Sequence, residues 1–106
     1  MNVIAFVGKI VEQPTIRTSS LGNKYATMVV RVQRNFSNSE GIYEYDDMSL
    51  TLWKGIAETT SSVAREGDLI AIRGRVQSHT YEGKDGLQHL SYDMIAEQVS
   101  FLKKEA

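Results

Sequence analysis

The sequence predicts an all-β fold, five strands closed into a small barrel with one short helix between the third and fourth. Three observations predict it. Apolar and polar residues alternate over five separate stretches, the period of a half-buried strand. Clusters of Gly, Asn, Asp and Ser stand between those stretches as turns. The one stretch without alternation, Ile56 to about Ala64, lies between the third and the fourth.

The elements follow in order. Val3 to Val11 is the first strand, and Gly8 inside it marks a bulge or a sharp bend. Gln13-Pro14 stops that strand, and Arg17 to Lys24 is a polar loop turning at Gly22-Asn23. Tyr25 to Phe36 is a long second strand, with Met28, Val30 and Val32 inward and Thr27, Arg31 and Gln33 outward. Ser37 to Gly41 is a hairpin tip, and Glu44 to Trp53 returns as the third strand. Both strands exceed the usual five or six residues or so, which suits a coiled hairpin in a small barrel. Ile56 to Ala64 reads as a two-turn helix, although Thr59-Thr60-Ser61-Ser62 has poor helix propensity. Glu66-Gly67-Asp68 is a turn. Leu69 to Tyr81 is the fourth strand, Glu82 to Gly86 a hairpin loop, and Leu87 to about Gln98 the fifth strand. Val99 to Leu102 docks the end, and Lys103 to Ala106 frays. Three strands, a helix and two strands make the five-stranded Greek-key barrel called the OB-fold.

The totals bound the rest. A chain of 106 residues with 42% hydrophobic content fits a single domain over 1–106 with a modest core, its barrel over about 2–102. Roughly a third of the unfolded chain's surface stays exposed at this size, so self-association helps. Without cysteine there is neither a disulfide framework nor a thiolate metal site. The first residues lack a signal peptide's basic flank and apolar run. No apolar run reaches the roughly 20 residues of a membrane span, so a cytoplasmic location is expected. A net charge of −1 and a pI near 6.1 exclude a uniformly basic nucleic-acid binder but not one with its cations on one face.

Two outward surfaces stand out. In the third strand Met48, Leu50 and Leu52 share the inner phase, which leaves the only tryptophan, Trp53, on the outside. Trp53 either packs under a loop or offers a platform on which a base stacks. In the fourth strand Ile70, Ile72, Gly74 and Val76 face one way, and Arg73, Arg75, Gln77, His79 and Tyr81 face the other. That second side is the best basic and aromatic surface in the chain. Catalytic readings are weak. His79 and His89, the only histidines, lie on adjacent strands without a convincing third ligand, so no metal and no other cofactor is expected. Asp46-Asp47 is sequential on a strand and its carboxylates point to opposite faces. No phosphate-cradling glycine loop or nucleophile elbow is present, and an enzyme is not expected.

With these residues in view, the chain resembles the bacterial single-stranded DNA-binding (SSB) protein family from Asn2 to Leu102. The matches are Asn2, Val7-Gly8-Lys9, Pro14, Arg17, Gly22, Phe36, the run Leu52-Trp53-Lys54-Gly55-Ile56-Ala57-Glu58, Gly67, Gly74-Arg75, Tyr81, Gly86 and Ala96-Glu97. No single match is specific; their order and spacing carry the resemblance. It implies an OB domain that assembles as a homo-oligomer, a tetramer rather than a dimer, and binds single-stranded DNA with little sequence preference. It implies base stacking on Phe36, Trp53 and Tyr81. Phosphate contacts are implied for Arg17, Arg34, Lys54, Arg65 and Arg75, with Arg73 adding charge on the same side of the fourth strand.

Departures from the family pattern matter as much. Ser49, Gln77 and Thr80 are neutral where the family is commonly basic, and His79 and His89 stand where arginine is common. Asp47, beside Asp46, occupies a place that often carries tryptophan, and an acidic pair there repels phosphate. Fewer cations imply weaker binding. The chain ends soon after the barrel, without the long tail and acidic tip by which housekeeping members recruit replication and repair proteins, so any replication or recombination partner is met by another route. The alternative is a tail-less interaction module of the primosome or of a mobile element, with weak or lost DNA binding. Exposure of Phe36, Trp53 and Tyr81 along one groove favours DNA binding; burial of two of them opposes it.

Overall fold

The computed structural model describes residues 1–104. It contains β1 (Ile4–Thr18), β2 (Lys24–Ser37), β3 (Tyr43–Trp53), α1 (Lys54–Val63), β4 (Leu69–Glu82) and β5 (Gln88–Lys103). The strands close into a barrel in the order β1-β2-β3-β5-β4. The expected order of three strands, a helix and two strands is therefore what forms. No helix among the described residues is long and apolar enough to cross a membrane.

β1 is the strand that closes the barrel. Its first half, Ile4 to Lys9, pairs with β4, and from Lys9 to Thr18 it pairs with β2. The hand-over occurs beside Gly8, where an added Cβ would collide with the carbonyl oxygen of Arg31. Glycine is needed there for a close approach of backbones. The register shifts lie downstream, between Ile10 and Glu12 and between Glu12 and Thr15. They correct the expectation that Gln13-Pro14 ends the strand. The irregular register accommodates Pro14, which is buried, and the ladder resumes at Thr15.

The other closure is short. β3 and β5 run parallel and pair only at Leu50–Met94 and Thr51–Ile95. β5 continues through Val99–Leu102, so that segment is strand rather than a docked end. The terminus expected to fray from Lys103 is held: Lys103 closes β5, and the Lys104 ammonium donates to the Val63 carbonyl and the buried Asp68 carboxylate. Glu105 and Ala106 lie outside the described residues.

Alternation sends Ala26, Met28 and Val30 of β2, Leu50 and Leu52 of β3, and Ile70 and Ile72 of β4 into one core. Full burial of an aliphatic side chain contributes roughly 1.5–3 kcal/mol. The helix caps one end of the barrel with Ala57 and Thr60 buried. No side chain caps its N-terminus, and Trp53 is the extended residue before its first turn. The β2–β3 and β4–β5 hairpins extend beyond this core, and their outer halves are largely exposed.

Candidate nucleic-acid interface

Register builds the first part of the surface. Arg17 of β1 pairs with Tyr25 of β2, and Tyr25 pairs with Trp53 of β3, so the three side chains form one row across the outer face. The Tyr25 and Trp53 rings lie 5.2 Å apart between centroids at 37°. Trp53 remains 38% exposed, which opposes the reading in which it packs under a loop. Tyr25 was not singled out from the sequence. The available signal was its phase: it shares the outward parity of Thr27 and Arg31 in the same strand.

β3 passes into α1 at once, and Lys54 turns the chain there with φ at 55°. The turn sets Lys54 beside Trp53, Ile56, Arg75, Ile95 and Glu97 around an open hollow of about 620 Å³. Arg75 donates to Glu97 at 3.1 Å and to Gln77 at 3.3 Å. That ion pair is exposed on both sides, so water and salt weaken it. Among the described residues no carboxylate pairs with Arg17, Lys54 or Arg73. Arg73 is exposed on the same side of β4 as Arg75, between Ala5 of β1 and Gln98 of β5.

Along β4 that side continues through Gln77 and His79 to Tyr81, about 20 Å from Arg75 at roughly 3.4 Å per residue. Tyr81 is 51% exposed and stacks on its cross-strand partner His89, with centroids 5.5 Å apart. His79 sits 3.0 Å from Asp93, and His89 3.0 Å from Asp85. The Leu87 amide, and then His89, hold the Asp85 carboxyl below its ordinary value. The two histidines therefore have separate carboxylate partners. Among the described residues no group of three or more His, Cys, Asp or Glu could hold a metal ion.

The remaining expected residues lie apart. Phe36 is 85% exposed, but it lines a different hollow of about 580 Å³ with Phe6, Val7, Val32 and Arg34. That hollow shares no lining residue with the one at Trp53. The three aromatics are all exposed, while Phe36 and Trp53 do not share a hollow. Arg34 is engaged by Asp46 at 2.9 Å and Glu44 at 3.2 Å, and Arg31 by Asp47 at 2.8 Å. Arg65 lies past the far end of α1, where its guanidinium donates to the Ala64 carbonyl at 2.8 Å.

Comparison with known proteins identifies the family. The profile of the single-strand binding protein family matches residues 1–102. The chain belongs to that family. It is 33% identical over 105 residues to single-stranded DNA-binding protein 3 of Listeria innocua, covering 99% of this chain and 66% of that one. It is 32% identical over 101 residues to single-stranded DNA-binding protein B of Bacillus subtilis, covering 95% of this chain and 89% of the relative. The chain thus spans just under two thirds of the first relative's length. Among solved structures, a Plasmodium falciparum SSB in complex with ssDNA superposes with a TM-score of 0.79 at 15% identity, covering 97% of this chain and 96% of that one. That likeness is one of fold, and it places this SSB-family barrel as an OB-fold.

Proposed function

We propose that this chain binds single-stranded DNA, as the names of its relatives state for them, and that it does so with little sequence preference. The observation that carries the proposal is the outer-face row Arg17–Tyr25–Trp53 beside the hollow ringed by Lys54 and Arg75. An exposed tryptophan backed by a half-buried tyrosine and flanked by cations is what a flexible polyanion with stackable bases needs. Stacking on an aromatic contributes roughly 1–3 kcal/mol per base, and every base has a π-face, so binding tolerates sequence. Phosphates take Arg17, Lys54, Arg73 and Arg75, and Tyr81 stacks a further base at the outer end of β4. No bond is made or broken. The cellular role is protection of single strands during replication, recombination or repair, in the cytoplasm.

Self-association belongs to the same proposal. From Ile4 to Gly8, β1 is paired on the β4 side only; Val7 within that segment and Val3 just before it are each 50% exposed. An unpaired strand edge with apolar neighbours favours another copy of the chain. The oligomer we propose is a homotetramer rather than a dimer, as the family resemblance implies. A second reading, an interaction module with weak DNA binding, draws support from the carboxylates that occupy Arg31 and Arg34.

Titration of Trp53 fluorescence with oligo-dT at low and moderate salt tests the proposal. Saturable quenching that weakens with salt, is lost in Trp53→Ala and needs more DNA in Tyr81→Ala is expected. Absence of quenching, together with no binding by a label-free method at low salt, refutes it and leaves the interaction module.

A further inference from the structure

The β2–β3 hairpin carries two outward arginines, Arg31 and Arg34, of which Arg34 is expected from sequence to meet phosphate, and the structure gives both of them carboxylates. Arg31 and Asp47 are direct cross-strand partners, and their contact is two-pronged: Nε to Oδ1 at 2.8 Å and Nη2 to Oδ2 at 3.1 Å. Arg34 uses all three of its nitrogens. Nε donates to both Asp46 oxygens at 3.2 and 3.0 Å, Nη2 to Oδ1 at 2.9 Å, and Nη1 to Glu44 at 3.2 Å. A carboxylate held in the fork of a guanidinium presents two anionic oxygens in the geometry a phosphate would use. Glu40 stands at the same hairpin tip. From Arg31 to Asp47, two arginines face four carboxylates, so the hairpin repels a phosphate chain where the Trp53 face attracts it.

Resting on the DNA-binding reading, we infer that Glu44, Asp46 and Asp47 are built-in stand-ins for phosphate: they occupy the forks of Arg34 and Arg31 and confine the DNA strand to the face that carries Trp53, Lys54, Arg73 and Arg75. These carboxylates are specificity-determining residues that act by exclusion. A phosphate arriving at Arg34 must displace two carboxylates that stay tethered on the neighbouring strand and return at high effective concentration. No such competitor pairs with Arg17, Lys54 or Arg73 among the described residues, and Arg75 meets Glu97 through one nitrogen only, at 3.1 Å. The hairpin is left with its exposed Phe36, Tyr43 and Tyr45 outside the strand's path. Arg34, expected from sequence as a phosphate contact, is thereby withdrawn from that role.

A four-variant cycle tests this by oligo-dT titration across a salt series. The variants are the wild type, Arg34→Ala, Glu44→Gln/Asp46→Asn, and all three changes together, with folding checked by circular dichroism. Removing the two carboxylates frees Arg34, tightens binding about 3- to 10-fold at low salt and steepens the dependence of log K on log salt by about 0.7, one phosphate's worth. Adding Arg34→Ala returns affinity most of the way. Arg34→Ala alone changes the wild type by less than about twofold, the scale of an exposed ion pair. The inference is overturned if Arg34→Ala weakens the wild type as much as it weakens the neutralised variant. It is overturned equally if neutralisation brings no gain, or a gain that Arg34→Ala leaves intact. Chains that bind DNA in no form overturn the DNA-binding reading itself, whereas a wild type that binds without these couplings overturns only the stand-in role.

Discussion

Lys54 is the one non-glycine residue at positive φ among the described residues, at 55°. It bears the turn from β3 into α1 although Gly55 follows it. A side chain in the left-handed region costs roughly 1–2 kcal/mol, and glycine gives back roughly 0.5–1 kcal/mol through its freer unfolded chain. Lys54→Gly should therefore stabilise the fold by about 0.5–1 kcal/mol. For a domain of this size that raises Tm by about 2–8 °C. Lys54→Ala keeps the Cβ and the strain and should stay within about 0.5 kcal/mol of the wild type. Both variants delete the same cation, so both should lose one phosphate contact and about 0.7 from the salt slope of oligo-dT binding. Thermal unfolding at one fixed protomer concentration reads the first quantity, since self-association makes Tm depend on concentration. Fluorescence titration reads the second. If Lys54→Gly is no more stable than Lys54→Ala, the backbone at Lys54 stores no strain and the argument fails. If the two variants differ in affinity, the residue acts through its backbone rather than its charge.

Two other predictions concern the barrel and its charges. A Cβ at Gly74 would collide with the Ile95 carbonyl oxygen and lie 3.2 Å from the Ala96 Cα, so Gly74→Ala must part the β4–β5 seam. It should lower the urea midpoint by an amount equivalent to about 2–3 kcal/mol with an unchanged m value. Guanidinium hydrogen bonds, from Arg34 to Asp46 and from Arg31 to Asp47, hold both carboxyls below their ordinary value of 3.8. A group lowered in the folded state contributes stability that is fully present above the unfolded value and is lost as pH falls through the folded one. Stability should thus fall with pH below 3.8 through these pairs, and Asp47→Asn should remove its share of that slope in an acid titration of urea midpoints, most visibly at low salt.

The barrel was legible because a strand with one buried face writes its period into the sequence. Met28, Val30, Leu50, Leu52, Ile70 and Ile72 alternate and all reach the core. The same phase put Trp53, Arg73 and Arg75 outside without knowledge of any neighbour. Chain breaks were read less well. Pro14 marks the end of regular pairing in an isolated strand, yet in a closed barrel β1 has a second stretch of partner available and resumes at Thr15. The fifth strand looked shorter than it is because Val99–Leu102 owes its strand conformation to β4 across from it.

What the sequence determined by itself was composition, phase and order. These suffice for the fold class and for which side of each strand is outward, because burial acts residue by residue. Which outward residues meet was decided only by tertiary structure. Tyr25 joins Trp53, and Arg17 joins Tyr25, through strand registers that couple positions 28 and 8 residues apart. Arg34 meets Asp46 rather than a phosphate because the β2–β3 register brings their strands face to face, 12 residues apart along the chain. Charge along a chain is additive, but a site depends on pairing, and pairing is settled only when the barrel closes.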